Sequence, residues 1–433
     1  MNNVTPRPSQ RPLAWTDAAL DMIDHLSALD TPAYLVGGVV RDALLRRPQK
    51  DFDIVTPESG LKLARKLADR LQADYYPLDS EREVGRVLLD TPDEKLMIDV
   101  ARFRGVDLLA DLTDRDFTCN AMAVDVHGDP GWLIDPLNGE QDTIDRRLRR
   151  CNADSIARDP VRLLRAVRQS AQLSFRIEPG TLADMRLHVA RLRETSAERV
   201  RDELFRLLAL PKPTAALKVA ERIGALPQIV LGFAVYQARE RWDNTLLTIE
   251  RLVDVLVVIS PKRTDETAAR FSLGMLVMAL DRFRGQLQAH IQTTWADDRA
   301  HQALLVFALL LREAGLIEAS DGIAADMPLS RQERERLKLV LRNAAAFDSL
   351  NAADVLALHR YWWALGAAGV DVVLLALATQ LALGDLNRQD DWIAMVEKAR
   401  RTLEAWYERH DEIVQPPVLV DGKALMEALD IKP

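Results

Sequence analysis

Residues 33–56, AYLVGGVVRDALLRRPQKDFDIVT, constrain the fold more than any other stretch of the chain. Residues 33–36 read as a strand, Gly37-Gly38 as a turn, the run carrying Arg41 and Asp42 as a short helix, and the stretch with Asp51 and Asp53 as a second strand. Side chains alternate across a strand, so residues two apart share a face about 6.6 Å apart. Asp51 and Asp53 therefore point the same way. Two such carboxylates beside a Gly-rich turn suit Mg²⁺ held against phosphate oxygens, because Mg²⁺ favours one or two carboxylates with phosphates and waters. A lone Asp-x-Asp says little, and Asp114 with Asp116 is another. The signal lies in the order: Gly-Gly after an apolar strand, Arg-Asp close behind, then Lys-Asp-x-Asp opening the next strand.

At 433 residues and 48% hydrophobic content, the chain is long enough for two to four packed domains. Two cysteines, Cys119 and Cys151, form no CxxC, which points to a reducing, cytoplasmic setting. Residues 1–12 are Pro-rich without an apolar core and read as a disordered lead-in. The apolar run 364–383 is interrupted by Asp371 and Gln380, so a buried helix is expected there and no membrane span. The net charge of −8 opposes general nucleic-acid stickiness, but residues 141–210 carry 15 Arg and no Lys against 10 acids. That local excess of +5 leaves −13 elsewhere. Arg presents a planar fork to phosphates and base edges, so this stretch is a candidate nucleic-acid or triphosphate face.

The motifs continue along the chain. A helix is expected over 13–29, another over 57–71, and strands over 73–77, 86–89 and 96–102, the last carrying Asp99. Residues 77–86, PLDSEREVGR, read as a polar loop. Asp159 and Arg162 stand at i and i+3 near Pro160 at a helix start, so acceptor and donors share a face. Arg165 and Arg168 follow at the same spacing.

The ordered block resembles the signature of the class II tRNA nucleotidyltransferase and bacterial poly(A) polymerase family, and the resemblance runs in order to about residue 230. It implies an α+β chain: a nucleotidyltransferase palm of small mixed sheet and helices, then an all-helical neck, body and partial tail. The expected domains are 13–136, 137–230, 231–410 and 411–433. The implied reaction is template-independent transfer of CMP or AMP from CTP or ATP to the 3′ end of tRNA, releasing pyrophosphate. Poly(A) polymerases and CC-adding or A-adding specialists would share the same motifs.

The resemblance also implies residue roles. Asp51 and Asp53 would hold two Mg²⁺ ions, and Asp99 would be the third carboxylate. Gly37, Gly38 and Arg41 would contact triphosphate. Residues 112–125, LTDRDFTCNAMAVD, resemble the family's RRDFTINAMA motif, so Arg115 and Asp116 would hold the ribose and Asn120 would support the site. The motif's first Arg is Asp114 here. Residues 157–168 resemble the E-D-x-x-R motif, making Asp159 and Arg162 the readers of C and A, with Arg165 and Arg168 meeting triphosphate or the tRNA acceptor end. The motif's Glu is Arg158 here, a charge reversal.

Pro136 and Gly139 would mark a hinge, and a flexible loop at 77–86 would help switch from CTP to ATP. Glu198, Arg199 and Arg201 would brace the reader helix. In the body, Asn244 and Arg312-Glu313 stand where some relatives carry metal-binding His and His-Asp, and the seven His are scattered, so the helical fold is expected without hydrolase chemistry. Residues 416–433 resemble the start of a tail module. No membrane and no stable protein partner are implied.

Overall fold

In a computed structural model, residues 5–91, 95–230, 232–233, 239–261, 271–384, 389–417 and 426 are described. The chain divides into two units, Met1–Thr195 and Ser196–Pro433, the division falling within the stretch read as the neck.

In chain order the first unit contains β1 (Arg7–Pro8), α1 (Asp17–Ser27), β2 (Tyr34–Val36), α2 (Gly38–Leu44), β3 (Asp51–Thr56), α3 (Gly60–Leu71), β4 (Asp74–Asp79), β5 (Val84–Asp90), β6 (Lys95–Arg102), α4 (Leu108–Thr113), β7 (Ala123–Asp125), β8 (Trp132–Leu133), α5 (Gly139–Ile144), α6 (Ser155–Arg158) and α7 (Val161–Leu173). Six of the strands form one sheet in the order β4-β5-β6-β3-β2-β7. β3 and β6 run parallel, and the other neighbours are antiparallel.

Alternation divides this sheet by chemistry. Phe52 and Ile54 of β3, Val87 of β5, and Ile98 and Val100 of β6 are buried with Ala19, Met22, Ile23 and Leu26 of α1 and Leu63 and Leu67 of α3. Those helical residues recur at i, i+3, i+4 and i+7, one stripe of a helix. The intervening residues, among them Asp51, Asp53, Asp99 and Arg86, therefore share the other face. A second, smaller cluster of Val36, Val55, Leu112, Ala121, Ala123 and Ile134 packs on that side and leaves the carboxylates at its edge.

Three expected elements differ. α3 starts at Gly60 rather than residue 57 because the Thr56 hydroxyl accepts from the Glu58 N–H (3.2 Å), turning the chain before the helix. Gly139 opens α5 instead of breaking structure: a Cβ there would lie 2.0 Å from the Thr118 carbonyl oxygen, so only glycine permits this approach. Residues 77–86 are no open loop. They complete a β4–β5 hairpin whose turn is held by Asp79 Oδ1, which accepts from the Glu81 and Arg82 N–H groups at 3.0 and 2.9 Å.

Every secondary-structure element among the described residues of the second unit is a helix, apart from an isolated bridge between Thr294 and Ala300. The apolar run forms the helix Ala368–Leu383, buried along its first eleven residues. Among the described residues no single helix is long and apolar enough to cross a membrane, and this helix meets Val355–Leu365 at 108°. Of the expected tail, residues 418–425 and 427–433 lie outside the described residues.

The His residues are not all scattered. His290 and His301 each place Nε2 2.7 Å from Asp371 Oδ1, while Arg336 Nη1 donates to Asp371 Oδ2 at 2.8 Å. Three such ligand atoms lie close enough to hold an ion. However, the Trp295 indole N–H donates to His301 Nδ1 (3.1 Å), which assigns the ring proton to Nε2 and aims it at the carboxylate. The cluster is a hydrogen-bonded network around a buried anion. Arg312 is engaged by Glu313 and Thr379.

Candidate active site

The site is built at the start of β3 and the middle of β6, beside the β2–α2 turn where β2 ends. In the parallel register Asp53 stands opposite Asp99, and Asp51 opposite Met97. Parallel neighbours are about 4.8 Å apart, so the three carboxylates of one face lie within a few ångströms of each other. Asp51 and Asp53 are exposed. Even so, the surrounding protein desolvates them enough to raise both carboxyls above their usual range, and the Asp99 charge adds to the shift. A divalent cation between them would relieve that repulsion.

Gly37 explains how the turn comes so close. It has φ +81°, and a Cβ there would lie 2.7 Å from Asp53 Oδ2 and 3.2 Å from Arg115 Nη1. Any side chain at this position would be strained and would push into the carboxylate. Arg41, one turn into α2, is clamped by both oxygens of Asp42 (3.0 and 2.9 Å) and donates to Asn120 Oδ1 (2.5 Å).

Asp99 is held more tightly than the sequence suggested. Arg86, its partner across the β5–β6 ladder, donates Nε to Oδ1 (2.6 Å) and Nη2 to Oδ2 (2.7 Å), a bidentate pair. Each oxygen keeps a second lone pair, so the carboxylate remains an acceptor while its orientation is set by Arg86.

Behind the carboxylates lies a polar network. Arg115, 8% exposed, donates Nε to the buried Asp111 (3.1 Å). Asp116 accepts from the Phe117 N–H (2.8 Å) and Asn120 Nδ2 (3.1 Å) through Oδ1, and from Arg165 Nε (2.9 Å) and Gln169 Nε2 (3.3 Å) through Oδ2. Burial alone would raise this carboxyl, but Arg165 and these hydrogen bonds hold it well below the usual range. Asn120 also donates to Gln169 Oε1 (2.9 Å), which ties α2, the 116–120 turn and α7 together. Asp116 and Arg165 thus spend their charges on each other.

Asp159 and Arg162, the expected base readers, lie at the α6–α7 junction. Asp159 sits between the helices, with Oδ2 3.6 Å from Arg162 Nε. Arg162 also donates to Ser155 Oγ (2.7 Å) and to the backbone carbonyls of Arg115 (3.1 Å) and Asp114 (2.7 Å). Arg168 extends to Gln172 Oε1 at an exposed position (3.2 Å). Arg201 donates to the Pro328 carbonyl (2.6 Å) and pairs with Asp202 and Asp297, all in the second unit.

Sequence reasoning missed Arg86, Asp111 and Gln169. Asp111 stands four residues before Arg115, a helical pair spacing that was there to be read. Arg86 and Gln169 are partnered across 13 and 49 residues, and no local pattern carries such pairings.

Comparison with known proteins gives a consistent picture. Residues 33–149 match a poly(A) polymerase head-domain model, and residues 174–236 match a model described as a probable RNA- and SrmB-binding site of polymerase A. A CC-adding tRNA nucleotidyltransferase of Geobacter sulfurreducens is 46% identical over 179 residues, 41% of each chain. Another, of Synechocystis, is 27% identical over 94% of this chain and 87% of its own. An A-adding tRNA nucleotidyltransferase of Aquifex aeolicus is 32% identical over 51% of this chain and 28% of its own. A solved CCA-adding enzyme with ATP shares the fold at TM-score 0.64, with 20% identity over 96% of this chain and 89% of its own. The head-domain match over residues 33–149, the RNA-binding-region match over residues 174–236 and these relatives make the chain similar to the poly(A) polymerase and tRNA nucleotidyltransferase family.

Proposed function

We propose that this chain is a tRNA nucleotidyltransferase, transferring CMP or AMP from CTP or ATP to the 3′-hydroxyl at the tRNA acceptor end and releasing pyrophosphate. The observation that carries the reading is the placement of Asp51 and Asp53 on one sheet face, with Gly37 leaving room for the Asp53 carboxylate. The raised carboxyls and the acceptor-only donor set fit a divalent ion, and Asp51 and Asp53 are the residues that would hold two Mg²⁺. When bound, such ions polarise the α-phosphate and lower the pKa of the attacking hydroxyl.

The chain's own residues do the rest. Gly37 and Gly38 bring backbone close to the triphosphate, and Arg41, oriented by Asp42 and Asn120, offers its cation there. Asp99, aligned by Arg86, accepts a hydrogen bond from the 3′-hydroxyl. Arg115 borders Asp53 and the ribose, while Asp116, Asn120 and Arg165 hold the frame that positions it. Asp159 presents acceptors and Arg162 donors to the Watson–Crick edge of the base, and Arg168 lies along the same helix toward phosphate. The working compartment is the reducing cytosol.

A narrower reading, addition of C alone, is favoured by two observations. Residues 77–86 close a β4–β5 hairpin whose turn is held by Asp79, and two of the similar relatives carry the CC-adding name. The test is incorporation of labelled CTP and ATP, separately and together, into tRNA ending before CCA, after C and after CC, with an unrelated RNA alongside. Addition stopping at CCA supports the general enzyme, and C alone supports the specialist. Long A tails on any RNA overturn both.

A further inference from the structure

Two of the positions at which the sequence departs from the resembled motifs, Asp114 and Arg158, are partners. Arg158 Nη1 donates to Asp114 Oδ1 at 3.0 Å, joining the C-terminal end of α4 to the last residue of α6. Arg158 Nη2 donates to Asn152 Oδ1 (3.2 Å), and Asn152 Nδ2 donates to the Thr113 carbonyl (2.8 Å). Residues 113 and 114 are thereby laced to the segment that precedes α7.

The consequence falls on Arg162. Its guanidinium plane is set by three acceptors: the Asp114 carbonyl at 2.7 Å, the Arg115 carbonyl at 3.1 Å and Ser155 Oγ at 2.7 Å. Two of these belong to the peptides that the Arg158 bridge secures. A cavity of about 450 Å³, lined by Val106, Leu109, Ala110 and Thr113 together with Asp114 and Arg158 themselves, opens beside the bridge.

We propose that Asp114 and Arg158 are positioning residues for base selection: their ion pair holds the 114–115 carbonyls that orient Arg162 toward the incoming base. This rests on the reading of the chain as a nucleotidyltransferase. The pair touches neither carboxylate of the metal face, so it acts on discrimination and not on the phosphoryl chemistry. Because both side chains are solvent-accessible, 56% for Arg158 and 38% for Asp114, the pair is also open to salt screening. An exposed ion pair of this kind corresponds to at most about a fivefold effect.

The experiment measures kcat and KM for CTP and for UTP, which inverts the donor–acceptor pattern at position 4 of the base. It uses the full chain and a tRNA lacking its 3′ CCA, at about 50 mM and about 500 mM salt. Asp114→Asn, Arg158→Gln and the exchanged double variant Asp114→Arg/Arg158→Glu are compared with wild type, and melting curves check folding. The singles should lose about three- to fivefold in CTP-over-UTP kcat/KM, with kcat for CTP within about twofold of wild type. The exchanged pair should recover most of the loss. High salt should move wild type toward the singles while leaving the singles unchanged. Discrimination within 1.5-fold of wild type in both singles overturns the proposal, as does an exchanged pair that folds but stays at the level of the singles. Wild-type protein that incorporates neither nucleotide removes the functional reading and the proposal with it, an outcome distinct from active protein with unaltered discrimination.

Discussion

Asp371→Asn should be among the more damaging conservative changes in this protein, although it lies far along the chain from the carboxylate face. Asp371 is fully buried in the helix Ala368–Leu383, and its charge is met by Arg336 at 2.8 Å and by two imidazole N–H groups at 2.7 Å. Asparagine conserves volume, so no cavity term enters. It removes the anion, strands the Arg336 guanidinium at a site only 19% exposed, and sets an amide N–H₂ against groups that are all donors. Breaking one side of a buried pair costs about 3–5 kcal/mol, and the partial exposure of Arg336 argues for the lower end, about 3 kcal/mol. For a unit of this size that corresponds to a melting shift of about 6–12 °C.

The pH dependence has a definite sign. Burial would raise the Asp371 carboxyl, but His301 and His290 more than reverse this and hold it well below the usual range. A depressed carboxyl contributes stability above its unfolded value, about 3.9, and loses it as pH falls through the folded value. The gap between wild type and Asp371→Asn should therefore be full at pH 5–7 and close only in stronger acid. Differential scanning calorimetry of the full chain, with and without EDTA, is the assay. A shift below 2 °C at pH 7 would refute the buried-anion account. Destabilisation by EDTA of wild type to a similar extent, but not of Asp371→Asn, would show that the cluster holds a metal, against the proton assignment imposed by Trp295.

Three further outcomes follow from the site. Asp51→Asn and Asp53→Asn should each lower incorporation by at least about 100-fold, yet raise the melting temperature in EDTA at pH 7. Their carboxyls are raised, so ionisation at neutral pH opposes folding and the benefit should vanish near pH 4; a fall in stability at pH 7 contradicts the electrostatic reading. Gly37→Ala should cost about 1–3 kcal/mol and lose most incorporation, because the φ of +81° and the 2.7 Å approach to Asp53 Oδ2 are both denied to alanine. A near-wild-type Gly37→Ala would mean that the turn does not shape the site. Cys119, buried with its thiol pushed up to about 12, should resist iodoacetamide at pH 8 in the folded protein and react after unfolding, as mass spectrometry can follow.

The amino-acid sequence by itself determined the parts of this protein that depend on short-range periodicity. Alternation over residues 51–56 put Phe52 and Ile54 into the core and Asp51 and Asp53 on the opposite face, and helical spacing placed Met22, Ile23 and Leu26 against them. Gly37-Gly38 was legible as a turn because it follows an apolar strand, while the positive φ and the approach of Gly37 to Asp53 came from the fold. The order of motifs named the family, since each is weak alone and their succession is not.

Only the tertiary structure decided how those residues share their charges. That Asp99 is clamped by Arg86, that Asp116 is spent on Arg165 and Gln169, and that His290, His301 and Arg336 converge on Asp371 are pairings between segments 13 to 81 residues apart. Hydrogen-bond geometry at this range is set by strand register and helix packing, which periodicity does not encode. The same holds for residues 77–86, where composition reads as loop but Asp79 closes a tight turn that lets both strands extend. Asp114 and Arg158 make the point most plainly: as residues in a sequence they are two unrelated departures from a pattern, and in the fold they are one ion pair beside Arg162.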